Sequence, residues 1–300
     1  MINIDTNLIE EAVYNLCIRA NTEYNSKLYN ILTRMYNTAS NREEKYRLYC
    51  ILKNIQLASK SRRPLCQDTG QVMVFMEIGQ NVHLSGGFIN DAVNKAVEKA
   101  YKENFFRKSV AKDALFDRNN TGTNTPSIIY TDIEKGDEVK INILIKGAGS
   151  ENYSNIKMFS PSTPKEEIYK FIKDTVANAG EKSCPPLVLG IGFGETMDGA
   201  AVLSKKAFFK QNETDKEAEF IKELKKYLGE INKEIIDIKI LSEQTHIASL
   251  PCAITINCHS TRHAQCTINE SGITYKENNE KYNEISDTEG THPEIHTNDI

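Results

Sequence analysis

An α+β fold is predicted by three features of the 300-residue sequence: helical periodicity over roughly the first sixty positions, short apolar runs of strand length bounded by glycine and proline after that, and further amphipathic stretches between those runs. The expected order is N-terminal helices, then a mixed sheet of short strands flanked by helices, with the reactive side chains on loops at strand ends. A chain this long buries a sizeable core as one large domain or two small ones.

Each element has its own warrant. Leu8, Ile9, Ala12, Val13 and Leu16 recur at the 3.6-residue period, and similar stretches cover about residues 28–35 and 43–58. Cys17 and Cys50 fall on these apolar faces and read as packing residues. Residues 72–79 are too apolar for a surface loop and too short for a helix, so a buried strand is expected there. Ala92, Val93, Ala96, Val97 and Ala100 mark a helix over 89–101, and Val139, Ile141, Ile143 and Ile145 alternate with polar residues in a half-buried strand. Helices are expected over about 164–179, 200–208 and 216–228, a glycine-studded strand over 187–194, and another strand within 245–264. Beyond Ser271, two Lys face five Glu and two Asp with few large apolar residues, so residues 1–270 read as the folded domain and 271–300 as an acidic, poorly ordered extension.

Composition excludes several classes. A formal net charge of −4 without a Lys/Arg-rich block argues against nucleic acid or an anionic membrane as partner. No basic leader and no run of eighteen apolar residues is seen, so a soluble cytoplasmic protein is expected. Seven scattered cysteines and no Cys-x-x-Cys pair point to thiols or metal ligands in a reducing compartment rather than to a disulfide framework or a zinc ribbon.

The densest chemistry lies in Arg63-Pro64-Leu65-Cys66-Gln67-Asp68-Thr69-Gly70, where a thiol, an amide, a carboxylate and a hydroxyl follow one another. Pro64 and Gly70 make this a rigid turn able to aim its side chains into the following strand end. Arg107, between Phe106 and Val110, is the natural reader of a carboxylate, held by neighbouring aromatic bulk. The run Lys146-Gly147-Ala148-Gly149-Ser150-Glu151-Asn152 follows a strand, and such glycines let backbone amides converge on an anion. Two further thiols stand at turn–strand junctions: Cys184 before Pro185-Pro186, and Cys258 before His259 and Arg262.

The ordered runs RPLCQDTGQVMVF, RNNTGTNTP, KGAGSEN, SCPPLVLGIGFG and THIASLPCAITINCHSTRHA resemble the alpha-subunit half of the class I iron-sulfur fumarate hydratases and their tartrate dehydratase relatives, over about residues 7–268. The resemblance implies a 4Fe-4S cluster held by Cys66, Cys184 and Cys258, with one iron left open to substrate. It places Gln67, Asp68, Arg107, Gly147, Ala148, Gly149, Ser150, Glu151 and Asn152 against a small dicarboxylate, Asp68 taking the catalytic role. It further implies reversible hydration of fumarate to L-malate, as in the tricarboxylic acid cycle, oxygen sensitivity, and a separate beta-type subunit that supplies the general base, assembled as a dimer of alpha-beta pairs. Alternatives are an L-tartrate dehydratase alpha subunit or a non-catalytic, redox-sensing cluster carrier. Cys252 and Cys266 match no family ligand and read as packing, although strand alternation places Cys252 on the face of Cys258. Between Leu228 and Thr245 the chain lacks the family's longer glycine-rich segment, so a shorter loop beside the cluster is expected.

Overall fold

Apolar residues at the chain start form a short strand, β1 (Ile2–Asp5), that turns directly into helix α1 (Thr6–Thr22). The Asp5 carboxylate accepts the Asn7 amide at 2.8 Å and so satisfies a donor of the first turn. Ile9, Ala12, Val13 and Leu16 are fully buried, as their spacing predicted. The computed structural model describes residues 2–276 and Tyr282. Of these, 2–21 with 66–276 form one unit, and 22–65 with Tyr282 a second.

The second unit carries α2 (Ser26–Thr38) and α3 (Arg42–Ser61). Each is started by an asparagine whose side chain accepts a first-turn amide: Asn25 from Leu28 at 3.2 Å, Asn41 from Glu43 at 2.9 Å. Gln56 donates to the Tyr29 hydroxyl at 2.7 Å, and the rings of Tyr36 and Tyr49 lie 6.3 Å apart. Cys50 departs from the packing expectation. It is exposed, because Ile51, Leu52 and Ile55 take the buried stripe of α3 and leave position 50 just outside it.

In the first unit the chain continues through β2 (Gln71–Gly79), β3 (Val82–Ser85), α4 (Ile89–Glu103), β4 (Ile128–Glu134), β5 (Val139–Lys146), the single turn α5 (Ala148–Glu151), β6 (Asn155–Phe159), α6 (Lys165–Ala179) and β7 (Leu187–Glu195). It then forms α7 (Met197–Lys206), α8 (Asp215–Leu228), β8 (Ile235–Thr245), β9 (Leu250–Asn257), β10 (Arg262–Asn269) and β11 (Gly272–Tyr275). A five-stranded sheet has the order β11-β10-β5-β2-β4, and a four-stranded sheet the order β6-β9-β7-β8. Both are mixed: β4 runs parallel to β2 and β8 parallel to β7, while the other neighbours are antiparallel. A parallel pair, β1 with β3, stands apart. The architecture is the predicted α+β one.

Each sheet has its own apolar core. Val72, Val74, Met76, Val139, Ile141 and Ile143 of the first pack with α1 and α4, and Leu189, Ile191, Ile238 and Ile254 of the second pack with α6 and α8. Side chains buried to this degree contribute about 1.5–3 kcal/mol each. The opposite face of β7 receives α7 at close range: a Cβ on Gly192 would lie 2.2 Å from the Ala200 carbonyl oxygen.

Three expectations are corrected. Residues 235–245 form a strand rather than a short loop, since Ile236, Ile238 and Ile240 alternate with Asp237 and Lys239. The strand Gly272–Tyr275 lies past the boundary placed at 270, because Ile273 and Tyr275 pack against the first core where composition suggested solvation. Apart from Tyr282, the rest of the acidic extension falls outside the described residues. Cys252 is fully buried in the second core, and Cys258 lies beyond the end of β9, so alternation does not relate the two. Among the described residues no helix is long and apolar enough to cross a membrane.

His263 on β10 meets the Phe209 ring edge-on at 6.1 Å between centroids, and burial, reinforced by Lys276 and Lys239, pushes its imidazole down to about 4. The ring is neutral in the folded state and protonates near 6.5 in the unfolded chain, so its contribution is complete above about pH 6.5 and is lost as pH falls toward 4. Denaturant unfolding should show wild type losing about 1.4 kcal/mol per pH unit more than His263→Gln across that window. Equal pH slopes for the two proteins would contradict it.

Candidate active site

The two sheets exchange the chain at one place. β9 ends in the second sheet and β10 begins in the first, so residues 258–261 cross between them, and α5 makes the reverse passage from β5 to β6. Gln71 pairs with Lys146 and Ile145 with Arg262 at this end of the first sheet, and Val188 pairs with Asn257 at the matching end of the second. Cys66 precedes β2, Cys184 precedes β7 and Cys258 follows β9, so all three thiols stand on the converging strand ends.

None of the three is in a disulfide. Partial burial, and after it the thiols of Cys258 and Cys66, push the Cys184 thiol up. Cys184 occupies the left-handed region at φ 55°. Its carbonyl accepts the His259 amide at 3.4 Å and lies 3.0 Å from His259 Nδ1, while Thr261 N–H donates to the Cys258 carbonyl at 3.0 Å. The Cys184 and Cys258 turns are thus tied to each other by backbone. Cys17, Cys252 and Cys266 are buried among apolar side chains, which pushes the latter two up to about 12. Among the described residues no three His, Cys, Asp or Glu side chains gather at the spacing of a single metal ion. Three thiols are the donor set that iron-sulfur groups take.

The loop bearing Gln67 and Asp68 is held from four sides. Arg262 Nη1 donates to the Asp68 carbonyl, and Tyr101 donates to the carbonyls of Thr69 and, at 3.1 Å, Gly70. Asn124 donates to the Gly70 carbonyl at 3.0 Å, and Thr69 Oγ1 donates to the Arg107 carbonyl at 2.7 Å. The Asp68 carboxylate accepts the Gly70 amide at 3.1 Å, Ser109 Oγ at 3.4 Å and the Ala148 amide at 3.0 Å. Those donors fix where its oxygens point while leaving it partly open to solvent.

Arg107 and Gln67 are exposed. The expected aromatic clamp on Arg107 is absent, since Phe105 is 91% exposed and Phe106 is buried edge-on against Tyr101. Its backbone is positioned instead by Thr69 and by Asn124, whose Oδ1 accepts the Ser109 amide at 2.8 Å. In the glycine-rich run, Gly147 faces Asp68 and Arg262: a Cβ there would lie 3.0 Å from Asp68 Oδ2 and 3.1 Å from Arg262 Nη2. Ala148, Gly149 and Asn152 are exposed, with Gly149 beside the Lys182 carbonyl. Ser150 and Glu151 turn toward two lysines. Glu151 pairs with Lys205 and, at 3.5 Å, with Lys146; burial alone would raise its carboxyl, and the two ammoniums outweigh that and hold it low.

The sequence reading set Lys146 and Arg262 at strand ends but missed their burial, and it missed the anchoring bonds of Tyr101 and Asn124. For Lys146 the available signal was a charged residue closing a strand directly after Ile143, Leu144 and Ile145. Together the two cations give the convergence zone a positive lining beneath Asp68, suited to an anionic ligand. Asn124→Leu should strand the Ser109 amide and leave the Gly70 carbonyl to Tyr101 alone, at about 1–3 kcal/mol for the stranded amide, read as a lower urea midpoint; an unchanged midpoint would show that water replaces the lost contact.

A family profile described as "Fumarate hydratase (Fumerase)" matches residues 10–267. A Methanocaldococcus jannaschii protein named "Putative L(+)-tartrate dehydratase subunit alpha" is 36% identical over 252 residues, covering 78% of this chain and 88% of its own. The "L(+)-tartrate dehydratase subunit alpha" proteins of Escherichia coli K12 and Shigella sonnei are each 26% identical over 273 residues, covering 85% of this chain and 89% of theirs. With the profile spanning most of its length, the chain belongs to the fumarate hydratase (Fumerase) family of hydro-lyases.

Proposed function

We propose that this chain is the alpha-type subunit of an iron-sulfur hydro-lyase, binding a 4Fe-4S cluster through Cys66, Cys184 and Cys258 and adding water reversibly across the double bond of fumarate to give L-malate. The observation that carries the reading is that three thiols free of disulfides flank strand ends where the two sheets exchange the chain, together with a carboxylate fixed by two backbone amides. When bound, a cluster with three thiolate ligands leaves one iron open to act as a Lewis acid toward a substrate oxygen. Asp68 is placed to accept or return a proton at the substrate hydroxyl, with Gln67 next to it to orient that group. The exposed fork of Arg107 suits one carboxylate of a dianion, and Arg262 and Lys146 favour its approach through their positive charge. A cytoplasmic setting agrees with free thiols.

Relatives named as alpha subunits support pairing with a beta-type chain, which supplies the general base. The same names favour a second reading, dehydration of L-tartrate, which uses the same groups on a substrate with one more hydroxyl. Anaerobic assays of alpha, beta and the mixture on fumarate and on L-tartrate decide between them. Turnover is expected only in the mixture, with fumarate the better substrate and rapid loss of activity in air; full turnover by alpha alone would place the base within this chain.

Single Cys-to-Ser changes at 66, 184 or 258 should abolish cluster uptake, measured as iron and sulfide content, while Cys252→Ser and Cys266→Ser retain it. Uptake by Cys184→Ser equal to wild type would sink the ligand assignment. Arg107→Ala should lower kcat/KM roughly 10- to 100-fold in the mixture, for one charge-assisted contact of about 1.5–3 kcal/mol, and Arg107→Lys should not restore it.

A further inference from the structure

Lys146 ends β5, with its side chain 4% exposed. Its ammonium donates to the Ile256 carbonyl, to Asn257 Oδ1 at 2.7 Å and to Ser150 Oγ at 3.1 Å, and it lies 3.5 Å from Glu151. Ile256 and Asn257 are the last two residues of β9, so a cation rooted in the first sheet fixes the point at which the second sheet releases the chain into the Cys258 turn. Ser150 and Glu151 belong to α5, the other segment that crosses between the sheets. A purely architectural tie does not need a charge here, since a neutral donor could meet the same oxygens without the desolvation cost of an ammonium.

The charges around it do not balance. Lys205 pairs with the same Glu151, so two ammoniums share one carboxylate, and the Cys258 sulfur, an anion once it holds metal, is also in electrostatic reach of Lys146. We propose that Lys146 is a positioning residue for the Cys258 turn and the internal cation that offsets the negative charge of the three-thiolate site. The inference rests on the iron-sulfur reading above. In this role Lys146 touches neither substrate nor the open coordination position; it sets the place of one ligand and the potential felt by the group that ligand holds.

The test compares wild type, Lys146→Met and Lys205→Met after anaerobic reconstitution, reading iron and sulfide content, the rate of iron loss to a chelator, and the cluster midpoint potential. Lys146→Met should lose iron at least tenfold faster than wild type and should have a more negative potential, because reduction adds negative charge to a site that has lost its cation. A packing role alone would leave the potential unmoved. Lys205→Met leaves the contacts to Ile256 and Asn257 in place and gives Glu151 wholly to Lys146, so its potential should shift in the same direction by less, and this arm remains decisive where Lys146→Met fails to fold. Wild-type potential in Lys205→Met and in any folded Lys146→Met overturns the proposal. Failure of wild type itself to take up iron and sulfide overturns the iron-sulfur reading instead.

Discussion

A single buried ammonium holds the ends of two sheets together. Each sheet closes its own apolar core, and nothing in either core explains why β5 and β9 terminate side by side. Strand ends release backbone groups from their ladders, and buried ones need new partners. Lys146 supplies them for Ile256, Arg262 for Asp68, Tyr101 for Thr69 and Gly70, and Asn124 for Gly70 and Ser109. The polar network at the junction is thus a requirement of joining the sheets there, and the reactive side chains stand on the loops that it immobilises.

Contact with bare backbone sets the shape of the Asp68 loop. Gly70 has φ +65°, and a Cβ on it would lie 2.6 Å from the Lys146 carbonyl oxygen, so no other residue fits without moving the end of β5. The strand that carries the buried cation is therefore the surface against which the carboxylate loop is moulded. Displacement of either would carry through to the other, since Ala148, directly past β5, donates to Asp68.

Strands were legible wherever alternation was strong: β5 and the apolar run of β2 follow from side-chain pattern alone. β8 shows the same alternation over residues 236–240 but was hidden by its comparison with a longer segment in the family. The thiols Cys66, Cys184 and Cys258 could be singled out by their turn-forming neighbours. The burial of Lys146 and Arg262 could not be read, because a charged residue at a strand end is ordinarily solvated, and only the fold shows that both face inward. Arg107 shows how a local pattern misleads: flanking phenylalanines suggested that ring bulk holds it, yet Thr69 donates to its carbonyl, and Asn124 accepts the amide of Ser109 two residues on.

The Arg262 guanidinium also reaches Asn21 Oδ1, at 3.4 Å, while donating to Asp68. Asn21 and Cys66 bracket residues 22–65, so both junctions of that helical insertion are anchored near one side chain of the main unit. An insertion whose entry and exit are pinned together behaves as a closed loop on its host, and lengthening a loop costs little once its ends are fixed. Residues inserted into or removed from 22–65 therefore carry a small entropic cost compared with the same change at the strand ends.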